Sequence, residues 1–464
     1  MHGFVYYCNR YKERAMSLQV KDLSTALSIL DFNSVITKYT PDQRNALLAI
    51  AKMLMSGKKS FILAGYAGTG KTTLIENIYR YAKMIDRYPI LTSITNRAVH
   101  VMRTKFSDVS EADYFTVHAA LYGKPIDEKK MVFDIGNPRD LYQLCDLCVV
   151  DEFSMVPVPI VDDLFNAGSA KYEEGGSCKS RLFSQLIFIG DAYQLRPVGD
   201  DHDYLRNPDY ELTEVVRYDN GLLVLATAIR KTKRTVLPSY SFDNVYGFSD
   251  DPVSKYLGLL NHKPDDSAIL ITATNKARVG FNRRIRKAMY GEHCAPLEDG
   301  ERLICISNNL HYSNGAIFNV VYTGDPISSG YINVERDGRK ITCNYIMYNA
   351  ILENGKQVPL YLFHDTLIAS IYNGQIEELR EIVDGGVMTN LNAVVATYGN
   401  CISCHKAQGG QWDNVVIHQN YFQDDPRWLY TALTRAIKAV YINMIVLQRA
   451  SKDDPKEIER LAKA

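Results

Sequence analysis

The chain has 464 residues, more than a single hydrophobic core organises, so two to four domains are expected. Hydrophobic residues make up 46% and charged residues 23%, and Lys+Arg and Asp+Glu both number 53, a globular composition with zero formal net charge. That balance argues against a protein that coats nucleic acid, which would be basic. It leaves room for one that grips a strand in a local groove, where charge distribution decides rather than the sum.

No apolar run approaches the roughly 20 residues of a membrane span. Met1 to Leu18 mixes Asn9, Arg10, Lys12, Glu13 and Arg14 with its apolar residues, unlike a signal peptide. The expectation is a cytoplasmic protein without a membrane partner, or one in the host cytoplasm if virus-encoded. Nine cysteines in so long a chain do not suggest a disulfide framework. Cys401, Cys404 and His405 have the spacing of a haem attachment motif. Without an export signal that reading is set aside, as is a zinc site shared with Cys145 and Cys148. The thiols are read as reduced and packed like small apolar groups.

The first 35 or so residues carry no readable motif. Beyond them, short apolar runs alternate with helical stretches, as in a parallel α/β sheet. The runs are Phe61 to Ala64, Ile90 to Ile94, Leu147 to Val150 and Leu186 to Ile189. Tyr122 to Gln143 reads as a short insertion between two of them. A second α/β series starts near Ala268, with a basic helix over Lys276 to Met289 and strands at Asn414 to His418 and Val440 to Val446. It is interrupted from about 312 to 398 by β-like runs broken at Gly and Asp turns. No internal repeat is evident. The expected domains are 36–220 with an insertion at about 122–143, then 221–311 with 399–464, enclosing a β insertion at 312–398.

Gly65-Tyr-Ala67-Gly68-Thr69-Gly70-Lys71-Thr72 matches the P-loop pattern, with an apolar strand before it and an amphipathic helix after it. Glycines let backbone N–H groups curl around phosphate oxygens, and the helix N-terminus adds positive potential. These residues and Thr73 are the nucleotide-binding candidates. Lys71 is expected to reach the β and γ phosphates of ATP, and Thr72 to ligate Mg²⁺. Asp151 and Glu152 end an apolar strand. Buried carboxylates are costly unless used, so Asp151 is assigned to Mg²⁺ and Glu152 to orienting the attacking water.

Further segments follow in a fixed order: Thr40-Pro-Asp-Gln43, Ile94-Thr95-Asn96-Arg97-Ala98, Thr116-Val-His118, Asp151 to Met155, Gly190 to Val198, Leu212 to Arg217, Thr274-Asn275-Lys276, His405-Lys406-Ala407-Gln408-Gly409 and Tyr430 to Ala436. In content and order they resemble the motifs of superfamily 1B, the 5′→3′ DNA helicases of the phage Dda type, related to RecD. The resemblance runs from about Thr40 to Val446. It implies two RecA-like domains, the first with a β-hairpin pin (1B), the second with an SH3-like β insertion (2B). It implies that Gln43 reads adenine, that Gln194 senses the γ-phosphate, and that Arg217 and Arg435 are arginine fingers, although Arg217 could be a surface ion pair. Thr95, Asn96, Thr116, His118, Thr274, Asn275, His405 and Lys406 become candidates for DNA contact, on loops expected to face away from the ATP side. Phe133 at the tip of the hairpin either stacks on the splitting base pair or anchors the hairpin to its own domain. The implied partners are single-stranded DNA and DNA forks, with single-strand-binding or replication proteins as further candidates. The alternatives are a translocase that strips proteins from single strands, a helicase acting on RNA, and an ATP-switch subunit of a nuclease or loading complex.

Overall fold

A computed structural model describes residues 39–122, 145–167, 172–174, 177–179, 183–197, 203–216, 220–233, 235, 241–260, 267–306, 309, 311–312, 314–336, 339–363, 393–418, 425–443 and 455–463. They form two compact units, one ending at 216 and the other starting at 220.

In the first unit, helix α1 (Pro41–Met55) opens with a capping box in which the Thr40 hydroxyl and the Gln43 side chain each accept the other's backbone N–H. Strand β1 (Ser60–Gly65) leads through the P-loop into α2 (Lys71–Met84). Next come β2 (Pro89–Ser93), α3 (Asn96–Lys105), β3 (Tyr114–Thr116), the short α4 (Val117–Tyr122), β4 (Leu147–Asp151) and α5 (Val158–Ala167). A small ribbon, β5 (Tyr172–Glu174) and β6 (Ser177–Lys179), precedes β7 (Gln185–Gly190) and β8 (Tyr210–Leu212). The main sheet runs β3-β2-β4-β7-β1-β8, with every pairing parallel. Its strands are buried on both faces, which is why they read as continuous apolar runs rather than alternating ones. One core cluster packs α1 and α2 on one face and a second packs α5 and the segment around Phe153 on the other.

The second unit starts with α6 (Gly221–Thr232), β9 (Val245–Phe248), α7 (Pro252–Leu259), β10 (Ala268–Thr272) and α8 (Asn275–Tyr290). A run of antiparallel strands follows: β11 (Arg302–Cys305), β12 (Ile317–Tyr322), β13 (Ser328–Arg336), β14 (Arg339–Leu352) and β15 (Gln357–Leu362), and then β16 (Val394–Tyr398). The chain then returns to the α/β layer through β17 (Cys401–Ser403), the one-turn α9 (Cys404–Ala407), β18 (Trp412–His418), α10 (Pro426–Leu433), β19 (Ala436–Asn443) and α11 (Pro455–Lys463). The second parallel sheet runs β17-β10-β18-β19-β9.

The β insertion is a small barrel. β12 pairs with β11 and also with β14, so β11, β16, β15, β14 and β12 close a ring around a core that includes Leu303, Phe318, Leu360 and Val394. Its first strand is β11 at Arg302, ahead of the expected boundary at 312. That strand is short and fully buried, so its apolar run carries no alternation to mark it as barrel rather than α/β sheet. Strands β3, β8, β9 and β17 also went unread, each only three or four residues long.

Two buried networks weld the barrel to the α/β layer. The Arg302 guanidinium donates to Ala268 O at 2.8 Å and to the Tyr256 hydroxyl, which donates to Asn400 Oδ1 at 2.9 Å. On α8, Arg286 pairs with the buried Glu301 and lies 4.2 Å from the centre of the Tyr398 ring.

Candidate active site and nucleic-acid interface

Parallel pairing puts the carboxyl ends of β1, β7 and β4 side by side, and each delivers one part of the candidate ATP site. The P-loop leaves β1. Gly68 and Gly70 have φ of +83° and +82°, the left-handed region that favours glycine. A Cβ on Gly70 would also lie 2.4 Å from Gln43 Nε2. The Lys71 ammonium donates to Gly65 O at 2.7 Å and Tyr66 O at 2.9 Å, inside the concavity of the loop. Thr69 is fully buried, and its hydroxyl donates to Tyr66 O. Thr72 and Thr73 lie in the first turn of α2.

Asp151 ends β4. Burial first, then the adjacent Glu152 carboxylate, raises its pKa above the ordinary carboxylate range, against the pull of the Glu152 N–H and Lys71. Glu152 is a non-glycine residue at φ +53°, a strained conformation of the kind that clusters at functional sites. Its Oε2 is buried with no hydrogen-bond partner. Gln194 follows β7 and is buried. Its Nε2 donates to Asp191 Oδ2 at 3.5 Å, while its Oε1 has no partner. The Tyr193 ring meets Tyr66 of the P-loop edge-on at 5.8 Å, so the segment after β7 touches the phosphate loop.

Gln43 is held by the protein on both atoms of its carboxamide. Its Oε1 accepts from Thr40 N and its Nε2 donates to Thr69 O at 2.8 Å, so its carboxamide buttresses the P-loop. Asp42 carries a role the sequence reading missed. Its carboxylate accepts from the N–H groups of Thr213 and Glu214 and from the Tyr210 hydroxyl, while Val216 N donates to Gly68 O at 2.9 Å. The segment leading to Arg217 is thereby stitched to the P-loop. Arg217 itself and Phe133 lie outside the described residues.

The candidate DNA-contact residues occupy helix starts. Thr95 follows β2 and accepts from Ala98 N at 3.2 Å; Thr274 follows β10 and accepts from Ala277 N at 3.2 Å. Their backbones nearly coincide, at φ −113°, ψ 142° and φ −114°, ψ 148°. Ser93-Ile-Thr-Asn-Arg-Ala98 and Thr272-Ala-Thr-Asn-Lys-Ala277 are therefore one device used once in each unit, a repeat the sequence reading did not register. Asn96 and Asn275 open the two helices. The helix N-terminus beside each threonine favours an anion. Thr116 caps α4 in the same manner, with His118 exposed on that helix.

The expected separation of these loops from the ATP side differs between the units. In the first unit Thr95 shares the carboxyl edge with the P-loop, because a wholly parallel sheet delivers every strand-to-helix loop to one edge. The separation is along that edge, three strand spacings or about 14 Å. In the second unit Thr274, His405 and Lys406 follow the carboxyl ends of β10 and β17. Arg435 instead precedes β19, at the amino edge. Arg435 is buried, donating through Nε to Thr431 O and through Nη2 to the Thr434 hydroxyl.

His405 is half-buried, and burial lowers its pKa while Asp425 opposes the shift. Lys406 is exposed on α9, though protein atoms crowd its side chain. That desolvation, then the neighbouring Arg278, pushes its pKa down to about 8. It donates to Asn314 Oδ1 of the barrel at 2.6 Å. Cys401 and Cys404 are buried free thiols, their pKa values raised by burial.

Residues 47–200 match a family model described as an AAA domain, and residues 398–443 match one described as a UvrD-like helicase C-terminal domain. With the two parallel sheets, these matches define a two-unit RecA-like architecture with a P-loop in the first unit. The ATP-dependent DNA helicase Dda of Enterobacteria phage T4 is 26% identical over 267 residues, covering 54% of this chain and 57% of Dda. An uncharacterised protein of Methanocaldococcus jannaschii is 29% identical over 215 residues, covering 41% of this chain and 17% of that protein. The matched stretches thus span less than two thirds of either relative. The fold is shared with a Pif1 helicase structure describing DNA unwinding at forked dsDNA, at TM-score 0.51 and 17% identity over 91% of this chain and 97% of that one. It is shared also with a Bacteroides Pif1 helicase in complex with ADP-AlF3 and ssDNA, at TM-score 0.50 and 19% identity with the same coverages. The chain is thus similar over part of its length to Dda and shares its fold with Pif1 helicases. Among the described residues no helix is long and apolar enough to cross a membrane.

Proposed function

We propose that the chain is an ATP-driven DNA helicase that translocates 5′→3′ on single-stranded DNA and separates duplex ahead of it, in replication, recombination or repair. The observation that carries this reading is the pair of matching threonine-capped helices, one per unit, combined with an ATP constellation on the first unit's sheet edge. Two equivalent, sequence-neutral phosphate grips suit a motor that steps along a backbone without reading bases. Support also comes from the named activity of Dda and from Pif1 complexes with ssDNA and forked dsDNA.

In this reading the P-loop amides and Lys71 hold the phosphates of ATP. The site fits a hard divalent cation such as Mg²⁺, since it offers the Thr72 hydroxyl, the Asp151 carboxylate and an unpartnered carboxylate oxygen on Glu152. When bound, the cation neutralises charge on the phosphate oxygens. Glu152 orients the attacking water, Gln194 senses the terminal phosphate, and Arg217 and Arg435 neutralise charge on the transferring phosphoryl group.

Strand separation on forks with a 5′ or a 3′ single-stranded tail tests the reading. Unwinding is expected on 5′ tails and lost in Lys71→Ala. Unwinding confined to 3′ tails would overturn the polarity, and unwinding by Lys71→Ala would leave ATP as a mere binding switch.

A further inference from the structure

Arg278 lies on the second turn of α8 and is 8% exposed. Among the described residues four other arginines are as deeply buried, and each has a partner. Arg230 donates to Thr227, Arg286 to Glu301, Arg302 to Tyr256 and Ala268 O, and Arg435 to Thr431 O. The Arg278 guanidinium makes no ion pair or hydrogen bond among the described residues, and its Nε is buried and unsatisfied. The groups acting on it are cationic or neutral. Lys406 is close enough to feel its charge, and Cys401 is the other titratable neighbour. The Asp425 carboxylate acts on His405 and does not appear among the charges acting on Arg278.

An unpaired buried cation costs several kcal/mol in a folded protein, so its retention calls for an anion. Its position says which. Asn282, one turn further along the same face of α8, clamps the backbone of Cys401 through both of its amide atoms. That face therefore packs on β17. Long helical side chains lean towards the helix N-terminus, which carries Arg278 towards the carboxyl edge where Thr274 caps α8 and Lys406 follows β17 on α9. We propose that Arg278 is a strand-binding residue: with Lys406 and the N-terminus of α8 it forms a recessed pocket for one backbone phosphate of single-stranded DNA. The inference rests on the helicase reading and adds to it a cation that no motif position marks.

Equilibrium binding of a fluorescent oligothymidylate across a salt series tests it, together with thermal unfolding of the DNA-free protein. One lost phosphate contact lowers the magnitude of the log-affinity against log-salt slope by about 0.7 for a single strand, with affinity falling about tenfold at low salt. Arg278→Met is expected to show that loss of slope while its DNA-free unfolding temperature stays level or rises, since an uncompensated charge has been removed. A slope equal to wild type in Arg278→Met, with a lowered unfolding temperature, would make Arg278 a structural residue and overturn the proposal. Arg278→Gln keeps polarity without charge and is read by the same slope should the methionine variant not fold. If the wild-type protein itself bound the oligomer with no salt dependence, the helicase reading would fall too. An unchanged slope in the variants alone defeats only the pocket.

Discussion

Glu152 shows how a single residue carries both strain and chemistry. Its left-handed backbone and unpartnered Oε2 are unfavourable in themselves, and in the helicase reading a carboxylate held ready for water is the use that justifies them. Glu152→Gln is expected to leave nucleotide binding near wild type while lowering kcat for ATP hydrolysis by roughly 10²–10⁴-fold. Equal losses in kcat and in binding would show a structural role instead. Asp151 makes a pH prediction. Its pKa is raised in the folded chain by burial and by Glu152, so the fold favours the protonated carboxyl. Its contribution to stability is complete below the ordinary carboxylate range and is lost as pH rises through the raised value. Mg²⁺ needs the opposite form, so the affinity for Mg·ATP should climb as pH rises towards that value. Titrating binding against pH checks it, with Asp151→Asn giving a flat profile.

At the scale of elements, the threonine caps combine two functions. Thr95→Ala or Thr274→Ala removes an acceptor from a helix N-terminus, a loss of about 1 kcal/mol. In the helicase reading each should also weaken single-strand binding without preference for sequence, because the helix start it loosens is where a phosphate would be held. Denaturant unfolding and binding to two unrelated oligomers separate the effects. The barrel's anchorage predicts a larger stability change. Glu301 is fully buried against Arg286, so Glu301→Ala would strand that guanidinium beneath the barrel. A cost of about 3–5 kcal/mol is expected from breaking such a pair, visible as a drop in the unfolding midpoint. A drop under 1 kcal/mol would mean that Tyr398 and Ala295 O alone hold Arg286.

For the whole molecule, zero net charge coexists with the cations Arg278 and Lys406 at one corner of the second unit, so under the proposed function attraction to DNA is local. Nucleotide binding gives a test across the two units. A ligand stabilises whatever it binds by mass action. If Arg435 joins Lys71 in holding a non-hydrolysable ATP analogue, calorimetric transitions of both units should move upward. In Arg435→Ala only the transition of the P-loop unit should move. A shift confined to the first unit in wild type would remove Arg435 from the nucleotide site.

Linear order alone was enough to read the P-loop, the Asp151–Glu152 pair, the two α/β series and the β insertion. Each is a contiguous run whose backbone needs are local: glycines at positive φ, an apolar strand ending in carboxylates, a helix behind a threonine. The equivalence of Thr95 and Thr274, the turn of Gln43 towards Thr69, and the stitching of Thr213 to Val216 onto the P-loop depend on which strands lie side by side. Contacts between residues far apart in the chain decide those, and periodicity does not encode them. Arg278 marks the boundary most clearly. On paper it is one more cation in a basic helix, and only the packing of α8 on β17 turns it into a buried charge without a partner among the described residues.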